Sequence, residues 1–144
     1  RLSILIRQRL QTMTSDFWTI VSEADYTTAT HACLAATVKH SKLLADFMDQ
    51  ELRDHYATFA KTLPTASWEQ FIINCQNRDA DADSWSESTI QRMRYNAFQI
   101  LAEAGYIDGT RTRKLQTVHL SDTVTNYLTE NDDHHVLRCI DLTS

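Results

Sequence analysis

The side chains whose type and spacing could do chemistry in this chain are cations. Arg92 and Arg94 stand two residues apart in a helical pattern, and Arg111, Arg113 and Lys114 crowd the segment that follows. A helix running into a basic loop offers a phosphate backbone two surfaces, the helix face and a wing. Each Lys or Arg that neutralises a phosphate releases a condensed counterion, so binding of this kind is steeply salt-dependent and weakly sequence-specific. Two smaller groups have the same capacity. Arg7 and Arg9 sit in a helical run near the start, and Lys39-His40-Ser41-Lys42 straddles a predicted helix start, where free amides and the helix dipole favour an anion. Taken singly, each group is better explained as a solvated helix face or surface loop. Convergence into one positive surface is what would make a site.

Other chemistries fit the residues poorly. Asp79, Asp81 and Asp83 alternate as in a calcium loop, but an EF-hand needs Gly at its sixth position and a carboxylate at its twelfth. Counted from Asp79 those positions are Ser84 and Ile90; from Asn77 they are Ala82 and Ser88. His134-His135 follow Asp132-Asp133, and His31 lies near Cys33, without the paired spacing of a four-ligand zinc site. A nucleophile elbow, an H-E-x-x-H helix and a Gly-rich phosphate loop are all missing from the sequence. Trp18, Trp68 and Trp85 each stand beside a helix start among apolar neighbours, which suits packing better than base stacking. The residues therefore read as non-enzymatic, with no metal or cofactor.

The elements that must position the cations are helices. Ile90, Met93, Ala97, Ile100, Leu101 and Ala104 recur at three- and four-residue steps, giving a helix with one apolar stripe. Ser88 and Gln91 are spaced as a capping box at its start, and Gly105 supplies the left-handed residue at its end. Beyond it, Asp108-Gly109 suits a two-residue turn, so residues 106–120 read as a small β-hairpin.

Upstream, residues 2–13 fit a helix, and Asp16 can cap a short one carrying Phe17, Trp18, Ile20 and Val21. Thr27 or Thr28 can cap a third, rich in Ala. The longest helix starts at Ser41, buries a stripe of Leu44, Phe47, Met48, Leu52, Tyr56, Phe59 and Ala60, and stops at Pro64. Ser67 starts another with Trp68, Phe71, Ile72 and Cys75 inward. Residues 77–84 form an acidic loop. Ser121 caps a helix carrying Val124, Tyr127 and Leu128, and the tail docks through Val136, Leu137 and Ile140.

Composition agrees with an all-α fold. Two Gly and one Pro in 144 residues leave little of the punctuation that β-architectures need, and the length suits a single helical domain over residues 1–144. Three widely separated cysteines read as reduced thiols, and neither a membrane-length apolar run nor a signal peptide is visible, so a soluble, cytoplasmic protein is expected. The formal charge of −5 weighs against nucleic acid. Local patches still act within a Debye length of roughly 8 Å, and acidic residues gather at Asp79–Asp83 and Glu130–Asp133.

The run Trp85-Ser-Glu-Ser-Thr89, with Arg92 after it and Leu101-Ala-Glu-Ala-Gly-Tyr-Ile107 closing the helix, resembles the BrxA family of bacterial BREX phage-exclusion systems. Lys42-Leu-Leu-Ala-Asp-Phe-Met48 leading into Glu51-Leu-Arg-Asp-His-Tyr56, and then Ser67-Trp-Glu-Gln-Phe71, are similar to its central and following helices. The likeness covers most of residues 1–120 and lies in the order and spacing of these motifs. It implies an all-helical fold similar to the antitermination factor NusB, further helices before Arg1, and a DNA-binding role in antiphage defence beside other BREX proteins. It implies no catalytic residues. An RNA-binding module and a protein-interaction subunit of the defence complex are the alternative readings.

Overall fold

A computed structural model of the chain describes residues 25–78 and 84–142. The expected helix over 2–13 with Arg7 and Arg9, the Asp16 cap with Trp18, and the Asp79–Asp83 run lie outside the described residues. The chain folds as two compact units, residues 1–49 with 118–144 and residues 50–117.

In the first unit, α1 (Tyr26–His40) is buried continuously from His31 to Val38. Its Ala32, Ala35 and Ala36 are fully enclosed, which lets neighbouring helices approach closely. Its cap is Asp25 rather than Thr27 or Thr28: the carboxylate accepts from the Thr28 amide at 2.7 Å, and that bond holds the Asp25 carboxyl below its ordinary range. The Thr28 hydroxyl instead meets Ser121 Oγ at 2.9 Å. Ser41 caps α2 (Lys42–Phe47) through the Leu44 amide, as expected. The last helices, α6 (Asp122–Glu130) and α7 (His134–Ile140), follow from residue 122; α7 packs on α1, α2 and α6. Val124, Leu128, Val136, Cys139 and Ile140 complete this core.

The helix that starts at Lys42 does not run unbroken to Pro64. It passes through a π-helical turn (Met48–Leu52), resumes as α3 (Arg53–Ala57) and stops at Thr58. Phe59, expected in the buried stripe, is left-handed at φ 56 and 91% exposed.

In the second unit α4 (Thr65–Arg78) and α5 (Glu87–Ala104) meet around Trp68. Its indole N–H donates to the Ile90 carbonyl at 3.2 Å and its ring stands edge-on to Phe98, so packing and one hydrogen bond satisfy it together. The cap of α5 is Ser86, which accepts from the Thr89 amide, two residues before the expected Ser88. Gly105 ends α5 at φ 91, as expected.

The expected β-hairpin does not form. Residues 106–116 contain two isolated antiparallel bridges, Ile107 to Leu115 and Lys114 to Thr62. The Asp108 side chain explains the difference. Its carboxylate accepts from the Thr112 hydroxyl and from the Lys114 amide at 2.8 Å, and these bonds close a wide loop where a two-residue turn was expected. The Thr112 bond foremost, then the amide, holds the Asp108 carboxyl below its usual range. The returning segment is hydrogen-bonded on both sides: Leu115 N donates to Lys61 O at 2.9 Å, and Gln116 N donates to Tyr106 O at 3.0 Å. Tyr56 fastens this clip from α3, its hydroxyl reaching Tyr106 O at 2.8 Å and Gln116 O at 2.6 Å. Burial pushes its phenol up to about 12.

Candidate nucleic-acid interface

The described cations of the first unit face carboxylates. Lys39, in the last turn of α1, pairs with Asp133 at 3.1 Å; Lys42 pairs with Asp46 one turn along α2 at 2.7 Å; and Arg138 meets Asp49 at 3.2 Å. Such exposed pairs contribute only about 0–1 kcal/mol each to stability, but they cancel the positive charge locally. The helix start beside Lys42 is also partly satisfied, since the Ser41 hydroxyl takes the Leu44 amide. Over its whole sequence this unit carries six Lys and Arg against ten Asp and Glu.

The second unit carries eight Lys and Arg against nine Asp and Glu, three of the nine being Asp79, Asp81 and Asp83. Among the described residues, Lys61, Arg92, Arg94, Arg111 and Lys114 make no ion pair with a carboxylate. Arg111 and Lys114 are exposed on the loop and its returning segment, and Lys61 is exposed on the segment paired beside it. Lys114 also acts on Asp108, as a lesser cause of that carboxyl's depression.

Arg113 behaves differently. Its Nε donates to the Leu63 carbonyl at 2.9 Å, and Nη1 donates to the carbonyls of Thr110 and Arg111 at 3.2 and 2.9 Å. The guanidinium therefore clamps the loop, with the backbone left-handed at φ 52. On α5, Arg92 is exposed and Arg94 half-buried. Tyr95 and Gln99 continue the Arg92 side of the helix, joined by a Gln99 amide to Tyr95 hydroxyl bond of 3.0 Å. Arg92 stands twelve residues before the last residue of α5, roughly 18 Å along the helix axis.

Lys61 is the cation sequence reasoning missed. It is isolated among Ala60, Thr62 and Leu63, and only the non-local pairing with 113–115 places it near the basic loop. The remaining polar candidates have local partners. His134 meets Asp132 at 3.3 Å, His135 approaches Cys139 Sγ at 3.8 Å, and His31 Nδ1 accepts from the Ser121 amide at 3.1 Å. Among the described residues no three His, Cys, Asp or Glu side chains are grouped to hold a metal ion, and no helix is long and apolar enough to cross a membrane.

Comparison with known proteins places the chain in a family. The BrxA family profile matches residues 1–132. The BREX protein BrxA of Paramagnetospirillum magneticum is 39% identical over 140 residues, which are 97% of this chain and 70% of that protein. The BREX protein BrxA of Escherichia coli O9:H4 is 33% identical over 120 residues, 83% of this chain and 56% of that protein. A crystal structure of an uncharacterized protein from Magnetospirillum magneticum matches with a TM-score of 0.89 at 38% identity, covering 94% of this chain and 72% of that one. The chain belongs to the BrxA family of BREX proteins.

Proposed function

We propose that the chain is a non-enzymatic DNA-binding component of a BREX system, and that it contacts mainly the phosphate backbone. Five cations of the second unit that form no ion pair among the described residues, Lys61, Arg92, Arg94, Arg111 and Lys114, hold the phosphates. The observation that supports this reading is the asymmetry of pairing: the described cations of one unit are ion-paired with carboxylates, and these five form no ion pair among the described residues. Arg113 positions Arg111 and Lys114 by holding their loop.

The test is duplex binding by the Arg111→Glu, Lys114→Glu double variant, followed by gel shift with an RNA competitor of equal length. A loss of roughly tenfold or more is expected, because each reversal replaces a phosphate contact with a repulsion. Unchanged affinity would remove the loop from the interface. More effective competition by the RNA would give the surface to RNA instead.

A further inference from the structure

Three helices of the described residues close with one hydrogen-bond pattern. After α5, Gly105 N donates to Ala102 O and Tyr106 N to Leu101 O, at 3.2 and 3.0 Å. After α6, Asp132 N donates to Thr129 O and Asp133 N to Leu128 O, at 3.2 and 2.8 Å. After α3, Phe59 N donates to Tyr56 O and Ala60 N to His55 O, at 3.2 and 3.0 Å. Each closure is of the Schellman type and needs one left-handed residue. Those residues are Gly105 at φ 91, Asp132 at φ 57 and Phe59 at φ 56.

Two of the three suit their place. Gly lacks the Cβ that clashes in this region, and Asp tolerates it through a short side chain that bonds locally. A bulky aromatic is strained there, and strain of this kind gathers at functional positions. Burial does not offset the strain, since Phe59 is 91% exposed, more than Tyr26, Tyr95 or Ile73. The structure therefore holds a phenyl ring out in solvent from a backbone conformation it disfavours.

The neighbourhood says what the ring would meet. Lys61 follows two residues later, and its segment pairs with the segment carrying Lys114, next to Arg111. An aromatic ring presented beside cations matches the way proteins engage nucleic acid: cations hold the backbone while an apolar ring enters or caps the base stack.

We propose that Phe59 is a stacking wedge for DNA whose phosphates Lys61, Arg111 and Lys114 hold. This rests on the DNA-binding reading above and deepens it. The wedge supplies binding without base-specific hydrogen bonds, and it favours duplex steps that unstack easily.

The test is Phe59→Gly in the full chain. Gly suits the left-handed cap, so Tm should hold or rise while duplex affinity falls by roughly fivefold to a hundredfold, as for one lost base–aromatic stack. The salt slope of binding should not change, because no charge is removed. A duplex carrying 2-aminopurine at successive positions should brighten with the wild type and not with the variant, and Phe59→Trp should restore the response. Equal affinity and equal brightening in Phe59→Gly would overturn the wedge alone and leave the ring for a protein partner. A lowered Tm would assign Phe59 to stability, again against the wedge. Failure of the wild type to retain DNA at low salt would instead remove the DNA reading itself.

Discussion

The two units of this chain are built from the same material and dispose of their charges in opposite ways. In the first, Lys39, Lys42 and Arg138 reach across helix ends or along one turn to Asp133, Asp46 and Asp49. In the second, Lys61, Arg92, Arg94, Arg111 and Lys114 form no ion pair among the described residues, although Lys114 acts weakly on Asp108, and the acidic residues of that unit include one run of three Asp. The difference teaches that a formal charge of −5 describes neither unit. In an acidic whole, a local group of cations can still act on its own, because charges more than a Debye length of roughly 8 Å away are largely screened.

The sharpest way to break the comparison is to reverse charge in each unit separately. Arg111→Glu with Lys114→Glu should weaken duplex binding roughly tenfold or more, whereas Lys42→Glu should change it less than about twofold, both read by fluorescence anisotropy. Equal losses from both units would erase the distinction drawn here.

Arg113 sharpens it differently. Arg113→Ala removes a guanidinium that satisfies three carbonyls, and should destabilise the fold by about 1 to 3 kcal/mol in a urea titration. Its loss of DNA affinity should shrink when Arg111 and Lys114 are already gone, because it acts through them. A smaller effect is expected from Tyr56→Phe, about 1 to 2 kcal/mol, since one hydroxyl serving two carbonyls is lost and the ring packing stays.

The smallest effect belongs to the first unit and depends on pH. Burial holds the His31 imidazole below its ordinary 6.5, against a weaker opposing pull from Asp25. The unfolded chain therefore takes up the proton first. Stability should be intact above about pH 7 and should decline as the pH falls through 6.5. Urea midpoints measured between about pH 8 and pH 5 check this; a midpoint that rises on acidification would contradict the buried neutral imidazole.

What the sequence made legible was local. The buried Ala97, Leu101 and Ala104 of the α5 stripe, the glycine that ends it, the Ser41 cap and the inward Trp68 all follow from spacings within a few residues, while Phe98 is buried and was not expected in the stripe. Caps at Asp25 and Ser86 lay within three residues of the expected ones, a shift set by which oxygen reaches which amide. The failures were contacts between distant residues. Asp108-Gly109 has the composition of a hairpin turn, but the 113–115 segment also pairs with residues 61–63, about fifty positions away, and no local pattern encodes that. The same holds for Lys61 and for the Lys39–Asp133 pair, which joins residues 94 positions apart. Phe59 misled for another reason. Its spacing continues the apolar stripe, but α3 ends at Ala57 with Thr58 as its cap, and the left-handed residue that follows leaves the ring exposed.

The most direct measurement is the slope of log affinity against log salt for duplex DNA, compared between the wild type and Arg111→Gln, Lys114→Gln. A steep wild-type line is expected, made shallower by roughly two in the variant as two counterion-releasing contacts disappear. A wild-type line without slope, or a variant line parallel to it, would contradict the assignment of phosphate contact to this loop.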